Sequence, residues 1–138
     1  MTKTCAYSPL LLMLMIAGCT GSGGPERAAV SGAVSFNGEP VEDGTISFVP
    51  TGTTQGPSTG SPITGGEYSI AADKGPVLGT HRVEIRAYRK TGRKLPPKPS
   101  ETEETVPYIP AQYNSESTLT IEIEAGKNEG TNFELKVP

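Results

Sequence analysis

Short runs of alternating apolar and polar residues, each closed by a turn rich in Gly, Asn or Pro, restrict this chain to β-structure. Val30, Gly32, Val34 and Phe36 fall on one side of an extended segment, with Ser31, Ala33 and Ser35 on the other. Such period-two alternation marks a half-buried strand. It recurs with Ile46 and Phe48 in Thr45–Val49, with Tyr68 and Ile70 in Glu67–Ala71, and with His81, Val83, Ile85 and Ala87 in Thr80–Tyr88. It returns with Leu119, Ile121 and Ile123, and again with Phe133, Leu135 and Val137. A weakly marked strand ends near Ile63, after the Thr-, Gly- and Ser-rich stretch 50–62. Between the runs lie Asn37-Gly38, Gly65-Gly66, Asp73-Lys74-Gly75-Pro76 and Gly126-Lys127-Asn128, residue types that tolerate positive φ or preset a turn. Gly at 17 and Pro at 13 of 138 positions weigh against long helices. The expectation is an all-β chain, with residues 28–138 forming one small antiparallel β-sandwich of about seven strands.

One stretch breaks the alternation. Arg89, Lys90, Arg93, Lys94 and Lys98 are followed by Glu101, Glu103 and Glu104, with Pro96, Pro97 and Pro99 between. Residues 89–116 therefore read as a long polar loop with a basic half and an acidic half. Within it, the more apolar Val106–Tyr113 is expected to pack back on the domain.

The N-terminus has a different character. Lys3 precedes the apolar run Leu10–Ile16, and Ala17, Gly18 and Cys19 follow. Seven strongly apolar residues are too few for a membrane-spanning helix, which needs about 20. The order of charge, apolar run and small residues is that of a signal peptide. The tetrapeptide Ile16-Ala17-Gly18-Cys19 resembles the lipobox of bacterial lipoproteins. That resemblance implies cleavage between Gly18 and Cys19, diacylglycerol on the Cys19 thiol, and often an acyl chain such as palmitate on the new amino group. Two or three chains anchor stably where one does not. Residues 1–18 are then a signal peptide and 19–27 a lipidated cysteine with a flexible tether. The tether's eight residues after Cys19 have an r.m.s. span of roughly 16 Å and a reach of at most about 28 Å. Thr20, where inner-membrane lipoproteins often carry Asp, favours the outer membrane. The localisation expected is the cell envelope, lipid-anchored. Cys5, the other cysteine, lies inside the signal peptide, so no disulfide framework exists.

The segment Val30-Ser-Gly-Ala-Val-Ser-Phe-Asn-Gly-Glu-Pro-Val41, followed by Gly44-Thr-Ile-Ser-Phe-Val-Pro50, resembles the carboxypeptidase regulatory-like domain, a transthyretin-like β-sandwich. Gly66-Glu67-Tyr68-Ser69-Ile70, Gly79-Thr80-His81-Arg82-Val83 and Ile109-Pro110-Ala111-Gln112-Tyr113 match in the same order. With the lipobox, the chain resembles short lipoproteins of planctomycete type. The resemblance covers nearly all of the chain after Cys19 and implies a fold rather than an activity. Ile63, Thr64 and Gly65 stand where that family often has Asp, and His81 stands where Tyr or Phe is common. Gly32, inside a strand, implies a bulge or a close backbone approach.

No pattern calls for a cofactor or a metal. His81 is the only histidine, so a two-histidine zinc site is impossible. Neither a nucleophile elbow nor a phosphate-binding Gly loop is present. A formal net charge of −3 gives no basic face for nucleic acid. Asp43 and Asp73 read as turn caps. If successive strands run antiparallel from the tether, connections 37–44, 64–66 and 89–116 share the end away from the membrane. The candidate interaction residues there are Asn37, Glu39, Arg89, Arg93, Lys94, Tyr108 and Tyr113, with Tyr88 beside them. The leading expectation is a non-catalytic envelope module, held by lipid on Cys19, that binds a protein or glycan. An accessory subunit of an envelope or secretion complex is the first alternative, and a hydrolase using His81 the second.

Overall fold

The computed structural model describes residues 23–95 and 103–138. The expected signal peptide, Gly18, Cys19 and the start of the expected tether lie outside the described residues, as do 96–102. The period-two segments become strands: β1 (Ala29–Phe36), β2 (Glu39–Pro40), β3 (Asp43–Pro50), β4 (Thr59–Thr64), β5 (Glu67–Ile70), β6 (Gly79–Lys94), β7 (Glu103–Pro107), β8 (Thr120–Ile123), β9 (Lys127–Asn128) and β10 (Phe133–Leu135). The only helical pieces among the described residues are 3-10 turns at Ala72–Lys74 and Ala111–Tyr113. The main path of the sheet runs β10-β1-β5-β4-β3-β6-β7.

Alternation decides which side chains enter the core, since successive residues face opposite sides. Val30 and Val34 of β1, Ile46 and Phe48 of β3, Ile63 of β4, and Val83, Ile85 and Ala87 of β6 are all buried in one cluster. Tyr68, Ile70, Ile123 and Leu135 complete it from the remaining strands. The opposite face of β6 carries Glu84, held between Arg82 at 2.7 Å and Arg86 at 3.0 Å. Val137 departs from its expected inward place: β10 ends at Leu135 and Val137 is exposed.

Three expectations are corrected. Among the described residues ten strands form rather than about seven, because β2 and β9 are two-residue strands that no periodicity can show and β7 falls in the stretch read as a loop. Pairing is mostly but not wholly antiparallel: β1 runs parallel to both β9 and β10. Residues 89–116 are not one loop. β6 continues through Arg89, Arg93 and Lys94, and β7 pairs with it from Tyr88↔Pro107 to Lys94↔Glu103. The basic residues Arg89–Lys94 and the acidic Glu103 and Glu104 lie on two paired strands and face each other. Lys90 meets Glu103 at 3.5 Å and Arg93 meets Glu104 at 3.9 Å. A register shift between Lys90 and Lys94, with Gly92 at φ +79°, marks a bulge.

One close approach ties β1 to the C-terminal part of the chain. Gly32 lies so near Thr131 that an added Cβ would sit 1.9 Å from the Thr131 carbonyl oxygen. That is the close backbone approach expected of a Gly in this strand. The hairpin β1–β2 turns on Asn37 and Gly38, with φ of +52° and +85°, the type I′ geometry that suits a right-twisted ribbon.

Candidate functional site

Strand parting creates the main recess. β3 pairs with β6 as far as Gly44↔Ala87 and then leaves it. The chain on the N-terminal side of Gly44 bends toward β1 instead: Val41 N–H donates to Val34 O at 3.0 Å, and Val41 O accepts from Gly66 N–H at 2.9 Å. The gap between the two strands is an open groove of about 880 Å3. Phe36, Pro40, Tyr88 and Tyr108 give it an apolar lining, and its charges are Glu39, Glu42, Asp43, Arg89 and Lys90.

Tyr108 is the hub. Its ring meets Phe36 edge-on, with centroids 5.7 Å apart, and the Arg89 guanidinium lies 5.8 Å from its centre. Both contacts are of favourable kinds. The Tyr108 hydroxyl is harder to ionise than an ordinary phenol, first because it is partly buried, then because Glu42, Asp43 and Glu39 surround it with negative charge; Arg89 acts in the opposite sense. Ile109, next in sequence, is buried in the core and fixes the tyrosine's position.

The structure divides the candidate residues into three groups. Glu39, Arg89 and Tyr108 line the groove. Asn37 and Tyr113 hold the C-terminus instead. Asn37 Oδ1 accepts from Val137 N–H at 3.1 Å, and the Tyr113 hydroxyl donates to Lys136 O at 2.8 Å while accepting from Lys136 N–H at 3.1 Å. Arg93 and Lys94 lie further along the hairpin, outside the groove lining. Phe36, Glu42, Asp43 and Lys90 also line the groove, and sequence reasoning missed them as site residues. Asp43 had looked like a turn cap, but its carboxylate makes no hydrogen bond among the described residues; it opens β3 and faces the groove. The signal available was its place directly before the point where two strands separate, which only pairing reveals.

His81 is fully buried on the inner face of β6. Its Nδ1 lies 3.1 Å from Gly79 O, and Nε2 has no partner among the described residues. A carbonyl oxygen only accepts, so Nδ1 carries the proton. Full burial sets this imidazole in the core, apart from the groove lining. Among the described residues no three His, Cys, Asp or Glu side chains converge to hold a metal ion. No helix there is long and apolar enough to cross a membrane. No family model, curated protein or solved structure matches the chain.

Proposed function

We propose that this chain is a non-catalytic lipoprotein of the cell envelope. It is anchored through lipid on Cys19, and its all-β domain is a transthyretin-like sandwich that presents the groove between β3 and β6 to a protein or glycan. The observation that carries this reading is the meeting, in one recess, of Glu39 from the Asn37–Gly44 connection with Arg89 from β6 and Tyr108 from the segment after β7. Rigid strands hold these groups, and a scaffold that presents loop residues together is the usual form of a binding surface.

The placement of the groove fits an anchored protein. Lys127 pairs beside Ala29, at the tether end of β1, whereas Glu39 pairs beside Phe36 at its other end. Eight strand residues separate these ends by roughly 25 Å. The groove thus lies at the end of β1 opposite Ala29, the arrangement that suits an anchor preceding β1.

Three measurements test this reading. Intact mass of the full chain from membranes is expected to show loss of residues 1–18 and gain of acyl mass, and Cys19→Ser is expected to leave the protein unanchored. In whole envelopes, a thiol introduced as Lys94→Cys is expected to react faster than one introduced as Lys127→Cys. The reverse order sinks the orientation, and an unacylated mass sinks the anchor.

A further inference from the structure

The two edges of β6 are occupied differently. Val83 N–H donates to Leu119 O, and Ala87 O accepts from Tyr108 N–H. Odd-numbered residues thus turn their backbone polar groups toward β7 and β8, and even-numbered ones turn theirs toward β3. Pro107 fits this pattern: it lies opposite Tyr88, at a position where β7 needs no N–H. β3, however, ends its pairing at Ala87, while β6 runs on to Lys94. Tyr88 N–H still reaches Asp43 O, the bond that the Gly44↔Ala87 pairing requires, so it is Tyr88 C=O and the N–H and C=O of Lys90 that point into the groove. Among the described residues no strand pairs with them there.

The charges around this open edge are unbalanced. Lys90 is already matched by Glu103, and Arg89 lies over Tyr108. Glu39, Glu42 and Asp43 have no ion pair among the described residues. A second copy of the chain suits the edge poorly: antiparallel self-pairing over Tyr88–Lys90 would set Arg89 against its own counterpart, and like charges directly opposite destabilise. A glycan would leave the strand edge unused.

We infer that the groove takes an extended, basic polypeptide segment, which adds as a short strand beside Tyr88–Lys90 and sets lysine or arginine side chains against Glu39, Glu42 and Asp43. This rests on the proposed role as a binding module and names its ligand class. Main-chain hydrogen bonds to the free edge supply affinity, and the carboxylates with the rings of Tyr88 and Tyr108 select positive side chains. The bulge at Gly92 ends the edge, so the added strand is only a few residues long.

The test uses the full chain in neutral detergent and fluorescence anisotropy with labelled probes. These are a short alternating Lys-Val peptide, its Glu-Val counterpart, the Lys-Val peptide N-methylated at alternate amides, and a chitin oligosaccharide. The Lys-Val peptide is expected to bind saturably. The Glu-Val and N-methylated forms are expected not to, because one lacks the charge and the other cannot form the strand. Glu39→Gln combined with Glu42→Gln is expected to weaken binding about fivefold to tenfold, whereas Glu129→Gln, a carboxylate near the tether end, leaves it unchanged. Equal binding of the Glu-Val or N-methylated peptide overturns the inference, as does an equal loss with Glu129→Gln. Saturable oligosaccharide binding without peptide binding overturns the peptide assignment but leaves the binding-module reading standing. Binding of none of the probes overturns the inference, and failure of the full chain to cross-link to any envelope component would then remove the module reading too.

Discussion

Gly32→Ala tests how tightly the C-terminal strands are tied to β1. An alanine Cβ at this position would lie 1.9 Å from Thr131 O and 2.4 Å from Thr131 C, whereas real Cβ contacts stay beyond 3.0 Å. The Thr131 carbonyl must then retreat by 1.1 Å or more. That carbonyl accepts the Tyr68 hydroxyl at 2.7 Å, so the retreat breaks a bond made by a buried side chain. Thr131 N–H to Ser31 O, at 3.0 Å, and Ala33 N–H to Asn132 Oδ1, at 2.8 Å, are strained by the same shift. Leaving the Tyr68 hydroxyl unpaired costs about 1–3 kcal/mol, and the other two bonds about 1 kcal/mol each. The lower backbone entropy of alanine in the unfolded chain returns up to about 1 kcal/mol. The net expectation is a loss of about 3 kcal/mol. Trp is absent, so urea unfolding followed by far-UV circular dichroism is the suitable assay. Gly60→Ala is the control: its Cβ would lie 3.1 Å from Ile46 O, and a loss of about 1 kcal/mol or less is expected. A Gly32→Ala protein within about 0.5 kcal/mol of the parent would refute the close approach and, with it, the attachment of the C-terminal strands.

Other perturbations have distinct signatures. Burial holds the Tyr68 hydroxyl well above its ordinary pKa of 10.0, so the unfolded chain releases that proton first as pH rises. The stabilisation is complete below pH 10 and falls above it by about 1.4 kcal/mol per pH unit; Tyr68→Phe is expected to flatten this alkaline slope in pH-dependent urea titrations while costing about 1 kcal/mol at neutral pH. Ser117 is buried and its hydroxyl donates to Val83 O, so Ser117→Ala is expected to cost about 1–2 kcal/mol by thermal unfolding. Glu103→Lys reverses one exposed pair of the hairpin and is expected to change stability by less than about 1 kcal/mol, an effect that added salt removes. His81→Phe discards the imidazole nitrogen that has no partner and is expected to be neutral or stabilising by up to about 1 kcal/mol in the same unfolding assay.

The parts of the fold legible in the sequence were those where one face is buried. Ile46, Phe48, Val83 and Ile85 lie inside, as their period predicts, and Asn37-Gly38 turns as its residue types require. The hairpin β6–β7 was hidden because both its faces meet water over residues 88–94 and 103–107. With no apolar period, Lys and Glu spoke against a strand. The ordering of charge did carry the information, since bases followed by acids across a turn become opposed pairs when the chain folds back antiparallel. The groove was half legible. Glu39, Arg89 and Tyr108 were placed at one end by connection order alone. Glu42 and Asp43 were placed there too, within connection 37–44, but not singled out as binding groups, because that role depends on β3 leaving β6, a fact of pairing rather than of pattern.

That departure has a cause in the core. Val41 is fully buried, and its backbone bonds to Val34 and Gly66 draw the chain toward β1. For β3 to continue along β6 and cover Tyr88 and Lys90, Val41 would have to leave the core at a cost of about 2 kcal/mol in apolar burial alone. The Val41–Gly66 and Glu42–Gly65 bonds, at 2.9 and 3.0 Å, would also break. The groove is therefore held open by packing, and an incoming strand needs no prior opening of the site. Amide hydrogen exchange can check this in the free chain. Val41, Gly65 and Gly66 are expected to be protected like core strands, while Lys90, whose amide faces the groove, exchanges readily. If Val41 and Gly66 exchange as fast as Lys90, the wall is not fixed by the core and the groove must form only when it is filled.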